Sequence, residues 1–146
     1  MTPLPILHVT PYAGGAWAYG GIPRLAATFA RDLARRGHAV TVATTDACDA
    51  ASRLGPGRRF RAWKPTQTPD GVVVRVFPNV SNHLAYHWQF FTPIGFGGFM
   101  RRHGREFDVA HLHACRNLPG EIAARELGGL GVPFVLAPNG TAPLIE

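Results

Sequence analysis

Residues 6–37 carry the feature that most narrows the fold. Ile6–Thr10 is a short apolar, β-rich run stopped by Pro11. Behind it Gly14, Gly15, Gly20 and Gly21 dictate a loop. Apolar residues then recur at Ile22, Leu25, Phe29 and Leu33 with alanines between, which is helical spacing. Pro23 suits a first helical turn, where its missing N–H is not needed. Arg35 and Arg36 suit the last turn of a helix dipole, and Gly37 suits the residue just past it. Ala39–Thr44 follows as a second strand. Strand, helix and strand joined by short connections make a βαβ unit with parallel strands, so the chain belongs to the α/β class.

The rest extends that pattern. Asp46–Thr68 is irregular and basic, with a short strand expected at Phe60–Trp63. Pro69-Asp70-Gly71 is a turn signal, and a hairpin around Asp70 fits the sheet edge. Val72–Phe77 reads as a strand stopped by Pro78. Asn82–Arg105 reads as two helical pieces broken near Thr92-Pro93. Val109–His113 is a strand, Pro119–Leu127 a helix ended by Gly128–Gly131, and Phe134–Ala137 a last strand. The expected architecture is a doubly wound, mostly parallel sheet of about five strands with helices on both faces. Ligands of such sheets bind at the carboxyl ends of the strands. The final loops lie on that edge with nothing after them to close over, so residues 1–146 are expected to be one domain of a longer protein.

Composition bounds the function loosely. The 146 residues suffice for one domain with its own core. Cys48 and Cys115 match no metal or redox spacing and read as free thiols in a reducing, cytoplasmic setting. The N-terminus lacks the basic and apolar regions of a signal peptide. No run of about 18 apolar residues exists to span a membrane. The net charge of +6 is almost all arginine, since Lys64 is the only lysine. It is compatible with nucleic acid, anionic lipid or phosphate-bearing substrates and does not choose among them.

Each chemical motif has a plainer reading beside it. The Gly20-Gly21 loop at a helix N-terminus could cradle a phosphate, because glycine permits close approach and the helix end carries partial positive charge. It could equally be only a turn. The glycine spacing is not G-x-G-x-x-G, and no acidic residue ends the second strand before Asp46, which disfavours a nicotinamide cofactor. His111 and His113 share one strand face. With no carboxylate or third histidine positioned beside them, no metal site is expected. His113, at the strand's carboxyl end, is expected to face a cleft, with His111 structural. Asn139-Gly140 could contact sugar hydroxyls or be an ordinary turn. Phe96, Phe99 and Met100 beside Arg101, Arg102 and Arg105 could lie on a membrane surface, but packing of the apolar side on the sheet is the simpler expectation.

Several segments, taken in order, resemble the N-terminal domain of GT-B-fold glycosyltransferases of the GT4 (group 1) family. Ile6–Pro11 is similar to its opening strand, and Gly20-Gly21-Ile22-Pro23-Arg24 to its Gly-Gly-hydrophobic-x-Arg helix start. Residues 33–42 resemble its helix end and second strand. Phe107–His113 resembles its Asp-hydrophobic-hydrophobic-His-x-His strand, and residues 131–135 the strand before its His-Gly turn. The resemblance implies a Rossmann-like, acceptor-side domain that moves a sugar from a nucleotide-sugar to a sugar or lipid-linked acceptor. It implies retention of configuration, no cofactor or essential metal, and a role in polysaccharide or glycolipid assembly. The implied location is cytoplasmic, peripheral at the inner membrane face. The partner it implies is the protein's own C-terminal nucleotide-sugar domain, without which residues 1–146 are expected to be inactive. By position, Gly20, Gly21 and Arg24 would meet the donor phosphates, and His113, Asn139 and Gly140 would line the acceptor cleft. Asn139 stands where the family often has histidine, and asparagine cannot take up a proton as histidine can. The alternative is a non-enzymatic, basic phosphate- or polyanion-binding module. No recognition-helix or RNP-like pattern supports it, and no nucleic acid partner is expected.

Overall fold

The computed structural model describes residues 2–54 and 64–140. The strand expected at Phe60–Trp63 lies outside the described residues. Among the described residues six strands form one sheet: β1 (Pro5–Thr10), β2 (Ala39–Thr45), β3 (Thr66–Gln67), β4 (Val73–Phe77), β5 (Val109–His113) and β6 (Phe134–Ala137), in the order β3-β4-β2-β1-β5-β6. All neighbours are parallel except β3, which pairs antiparallel with β4 across the turn at Asp70. The helices are α1 (Ile22–Arg35), α2 (Asn82–Trp88), α3 (Phe96–His103) and α4 (Leu118–Leu130). This is the doubly wound α/β arrangement expected from the alternating strand and helix signals.

Strand alternation sorts the core into two faces. Leu7, Val9, Ala110 and Leu112 point to one side, where Phe96, Phe99 and Met100 of α3 and Ala123 and Leu127 of α4 cover them. Burying each of the larger side chains is worth about 1.5–3 kcal/mol. The apolar side of α3 is thus spent on the sheet rather than offered to a membrane. On the other side Val40, Val42 and Val72 pack with Ala30 of α1.

Two helices depart from the sequence expectation. Leu25 and Phe29 belong to the apolar spacing that marks α1, yet both are well exposed, while Pro23, Ala26 and Ala30 are buried. The small side chains let the helix lie close to the sheet and turn the bulky residues to its flank. Helix α4 continues through Gly128 and Gly129 to Leu130. Tertiary packing overrides the poor helix propensity of those glycines. A Cβ on Gly104 would lie 2.6 Å from Leu130 Cδ1, so this last turn sits hard against the segment that follows α3.

Candidate functional site

Strands β1, β5 and β6 lie side by side, so the segments leaving their carboxyl ends share one edge of the sheet. The first is the glycine loop. Tyr12 stacks on Tyr19 with ring centroids 4.8 Å apart, Phe91 meets Tyr12 edge-on at 5.5 Å, and Ala16 is fully buried beneath. Burial, foremost, pushes the Tyr19 phenol up to about 12. This aromatic cluster anchors the loop from below. Phe91 comes from the break between α2 and α3, a long-range contact that no local sequence signal announces.

Gly20 then takes φ +86, the left-handed region that favours glycine, and Gly21 caps α1. Among the described residues, a Cβ on either would meet nothing within 4 Å, so no described atom crowds the start of the helix. The first N–H groups of α1 lack intrahelical acceptors by position, and with the helix dipole they make an anion-accepting end. The Arg24 guanidinium lies 5.2 Å over the Trp17 ring at the rim of the same loop. Gly20, Gly21 and Arg24 therefore form one structural unit.

The second group is built of histidines, and here the sequence expectation is corrected. A third histidine does stand beside His111 and His113. The parallel register pairs His8 of β1 with His111 of β5, which puts all three rings on the α1 side of the sheet. Phe29 of α1 sits over them, 5.7 Å from His111 and 6.4 Å from His113. His8 Nδ1 lies 2.9 Å from His113 Nε2. Among the described residues His8 Nε2 is buried without a partner. A buried N–H without an acceptor costs more than a bare ring nitrogen, so the proton of His8 belongs on Nδ1, donating to His113. His113 then carries its own proton on Nδ1, which stands 3.4 Å from the Asn139 side-chain amide. Turning that amide puts its oxygen toward the ring as acceptor.

Burial is the main cause that lowers these imidazoles, His8 to about 4 and His113 to about 3, with mutual repulsion from the neighbouring histidines second. His111 is lowered as well, by burial. All three are neutral near pH 7. They can position groups, accept hydrogen bonds and ligate metal, but they are poor proton donors in that state. His113 is 1% exposed and His111 is half-buried, so Asn139, itself partly exposed, is the outermost member of the His8–His113–Asn139 chain.

Asn139 (φ +50) and Gly140 (φ +79) turn the chain beyond β6. The turn after β5 is strained in a way its sequence conceals: Ala114 (φ +67) and Arg116 (φ +54) both adopt left-handed backbone. Ala114 N–H still donates to Ala137 O, and Asn117 Oδ1 caps α4 by accepting from Gly120 N–H at 2.8 Å. Among the described residues, no hydrogen bond joins this His113–Asn139 pair to Gly20, Gly21 or Arg24. The two groups share the sheet edge, one strand apart.

The end of β2 on that edge is held by a buried ion pair. Asp46 Oδ2 lies 2.8 Å from Arg53 Nη1, and Asp46 Oδ1 accepts from Asn79 N–H at 2.8 Å. Arg53 also donates to Asn79 O at 2.7 Å. A cavity of about 270 Å³ between α1 and β2 and β4, lined by Ala26, Ala30, Val42 and Val74, contains none of the expected site residues.

The family model described as Glycosyltransferase Family 4 matches residues 19–144. That span takes in Gly20 and Gly21, α1, the His111–His113 strand and the Asn139 turn, and the chain belongs to this family. No curated protein sequence matches it.

Proposed function

We propose that this member of the glycosyltransferase family is the acceptor-side domain of a retaining enzyme, which moves a sugar from a nucleotide-sugar to a sugar or lipid-linked acceptor in polysaccharide or glycolipid assembly. The observation that carries the reading is the carboxyl edge itself. An anion-accepting helix start and a set of neutral hydrogen-bonding side chains stand on neighbouring strands of a family 4 domain. In this reading the N–H groups at Gly21 and the start of α1 stabilise the diphosphate as it departs, with Arg24 adding charge from the rim. Asn139, held by His113, positions an acceptor hydroxyl. Because the histidines are neutral and Asn139 does not titrate, the contribution is positioning and electrostatics rather than a proton relay. A nucleotide-sugar domain elsewhere in the same protein completes the donor site.

Gly21→Leu in the full-length protein tests it. The open space around Gly21 and its φ of −81° accommodate a side chain, so folding should be unchanged. Transfer from a panel of UDP- and GDP-activated hexoses should fall at least 100-fold, the scale of losing preorganised donors to developing charge. Normal turnover in the variant would remove the loop from the donor site.

A further inference from the structure

Three imidazoles on adjacent strands are more than a hydrogen-bonded pair requires. One ring nitrogen from each of His8, His111 and His113 lies within 4.8 Å of one from each of the others. We propose that His8, His111 and His113 bind a borderline transition-metal ion of the zinc class on the α1 side of the sheet, beneath Phe29.

The chemistry of the donors selects the ion. Three neutral imidazoles without a carboxylate suit Zn²⁺, Co²⁺ or Ni²⁺ and reject Mg²⁺, Mn²⁺ and Ca²⁺, which prefer oxygen. Ligand bonds of 2.0–2.1 Å in tetrahedral geometry place nitrogens about 3.3 Å apart. The 2.9 Å between His8 Nδ1 and His113 Nε2 is already close to that spacing. An ion there would take the place of their hydrogen bond, with the His8 proton moving from Nδ1 to Nε2 so that the imidazole ligates in its neutral form. His111, the one ligand of the three that is only half-buried, is the member able to shift and shorten the remaining separations. Burial supplies the neutral form that ligates. The frame is fixed by the paired strands, because His8 and His111 sit opposite one another in register. The ligands therefore come from backbone already held by the ladder.

The test uses purified protein stripped with EDTA and titrated with Co²⁺ and Zn²⁺. The expected result is one equivalent bound with micromolar or tighter affinity, giving the visible absorption of four-coordinate Co²⁺, and no response to Mg²⁺. His111→Ala should weaken binding at least 10-fold, and its partial exposure makes it the variant most able to fold. The chain also carries His83 and His87 with ring centroids 4.5 Å apart on α2. A His83→Ala/His87→Ala variant should keep full Co²⁺ binding. Binding that survives His111→Ala, that disappears in the α2 variant, or that is weaker than about 1 mM in the unaltered protein would each overturn the proposal. These readouts require no transfer activity, so they stand or fall separately from the glycosyl-transfer reading.

Discussion

Replacing Asp46 by alanine should destabilise this domain far more than a salt bridge between a lone Asp and a lone Arg usually would. Both partners are buried: the side chains of Asp46 and Arg53 are 1% and 10% exposed. The substitution removes the 2.8 Å ion pair and also the acceptor of the Asn79 N–H. Arg53 would keep its bond to Asn79 O, but its charge would be left buried and unpaired. Among the described residues its Nη2 already lacks a partner. Breaking one side of a buried pair costs about 3–5 kcal/mol, because the remaining charge cannot regain water. With roughly 0.3 kcal/mol/K of unfolding entropy for 146 residues, that lowers Tm by about 10–16 °C. The assay is thermal and urea unfolding of Asp46→Ala, Arg53→Met and the double variant. The double variant should be more stable than Asp46→Ala alone, since it removes the stranded charge. A loss below about 1 kcal/mol for Asp46→Ala, the scale of an exposed pair, would refute the reasoning. So would strictly additive effects in the double variant.

Two further outcomes follow from the same edge of the sheet. In EDTA-stripped protein the folded histidines stay neutral while the unfolded chain gains protons below about pH 6.5. Stability is therefore complete above that pH and is lost as pH falls toward the depressed folded values of His8 and His113. At pH 5 the loss from His8 alone should be about 2 kcal/mol, read from urea midpoints at pH 7.5 and 5; identical midpoints would contradict the neutral assignment. Ala114→Gly should leave stability within about 1 kcal/mol of the unaltered protein, because relief of the left-handed alanine offsets the added chain entropy and the loss of a buried methyl. A loss above about 2 kcal/mol would mean that the turn is not strained.

The elements were legible where local physics decides them. The β1–α1–β2 unit was marked by Pro11, Pro23, Gly37 and two β-rich runs, and it forms with the helix ending within a residue of its expected end. The Asp70 hairpin was equally local, since a Pro-Asp-Gly turn needs no partner to be recognised. Departures arose where packing decides. Gly128 and Gly129 stay helical because Leu127 and Leu130 have partners across the fold. Leu25 and Phe29 lost the buried face of α1 to alanines, because apolar periodicity records which residues share a side but not how closely the sheet approaches.

The site shows the same division more sharply. Glycines before a helix and a histidine at a strand end are visible in one dimension, and the glycine loop stands on the carboxyl edge where the pattern implied it. The expectation that no third histidine stands beside His111 and His113 failed on a single missing quantity, the relative register of two strands 100 residues apart in sequence. His8 was plain within its strand, yet nothing in residues 6–10 says which β5 residue it faces. Alternation gives each strand two phases, and only the pairing ladder decides whether the histidines of β1 and β5 fall on one face or on opposite faces. A doubly wound sheet places its first strand centrally, so a lone polar residue there will be buried whichever face it takes. A histidine in that position must find a partner, and His113 supplies it. Among the described residues His8 Nε2 has no partner, which is why the His8 proton belongs on Nδ1, toward His113.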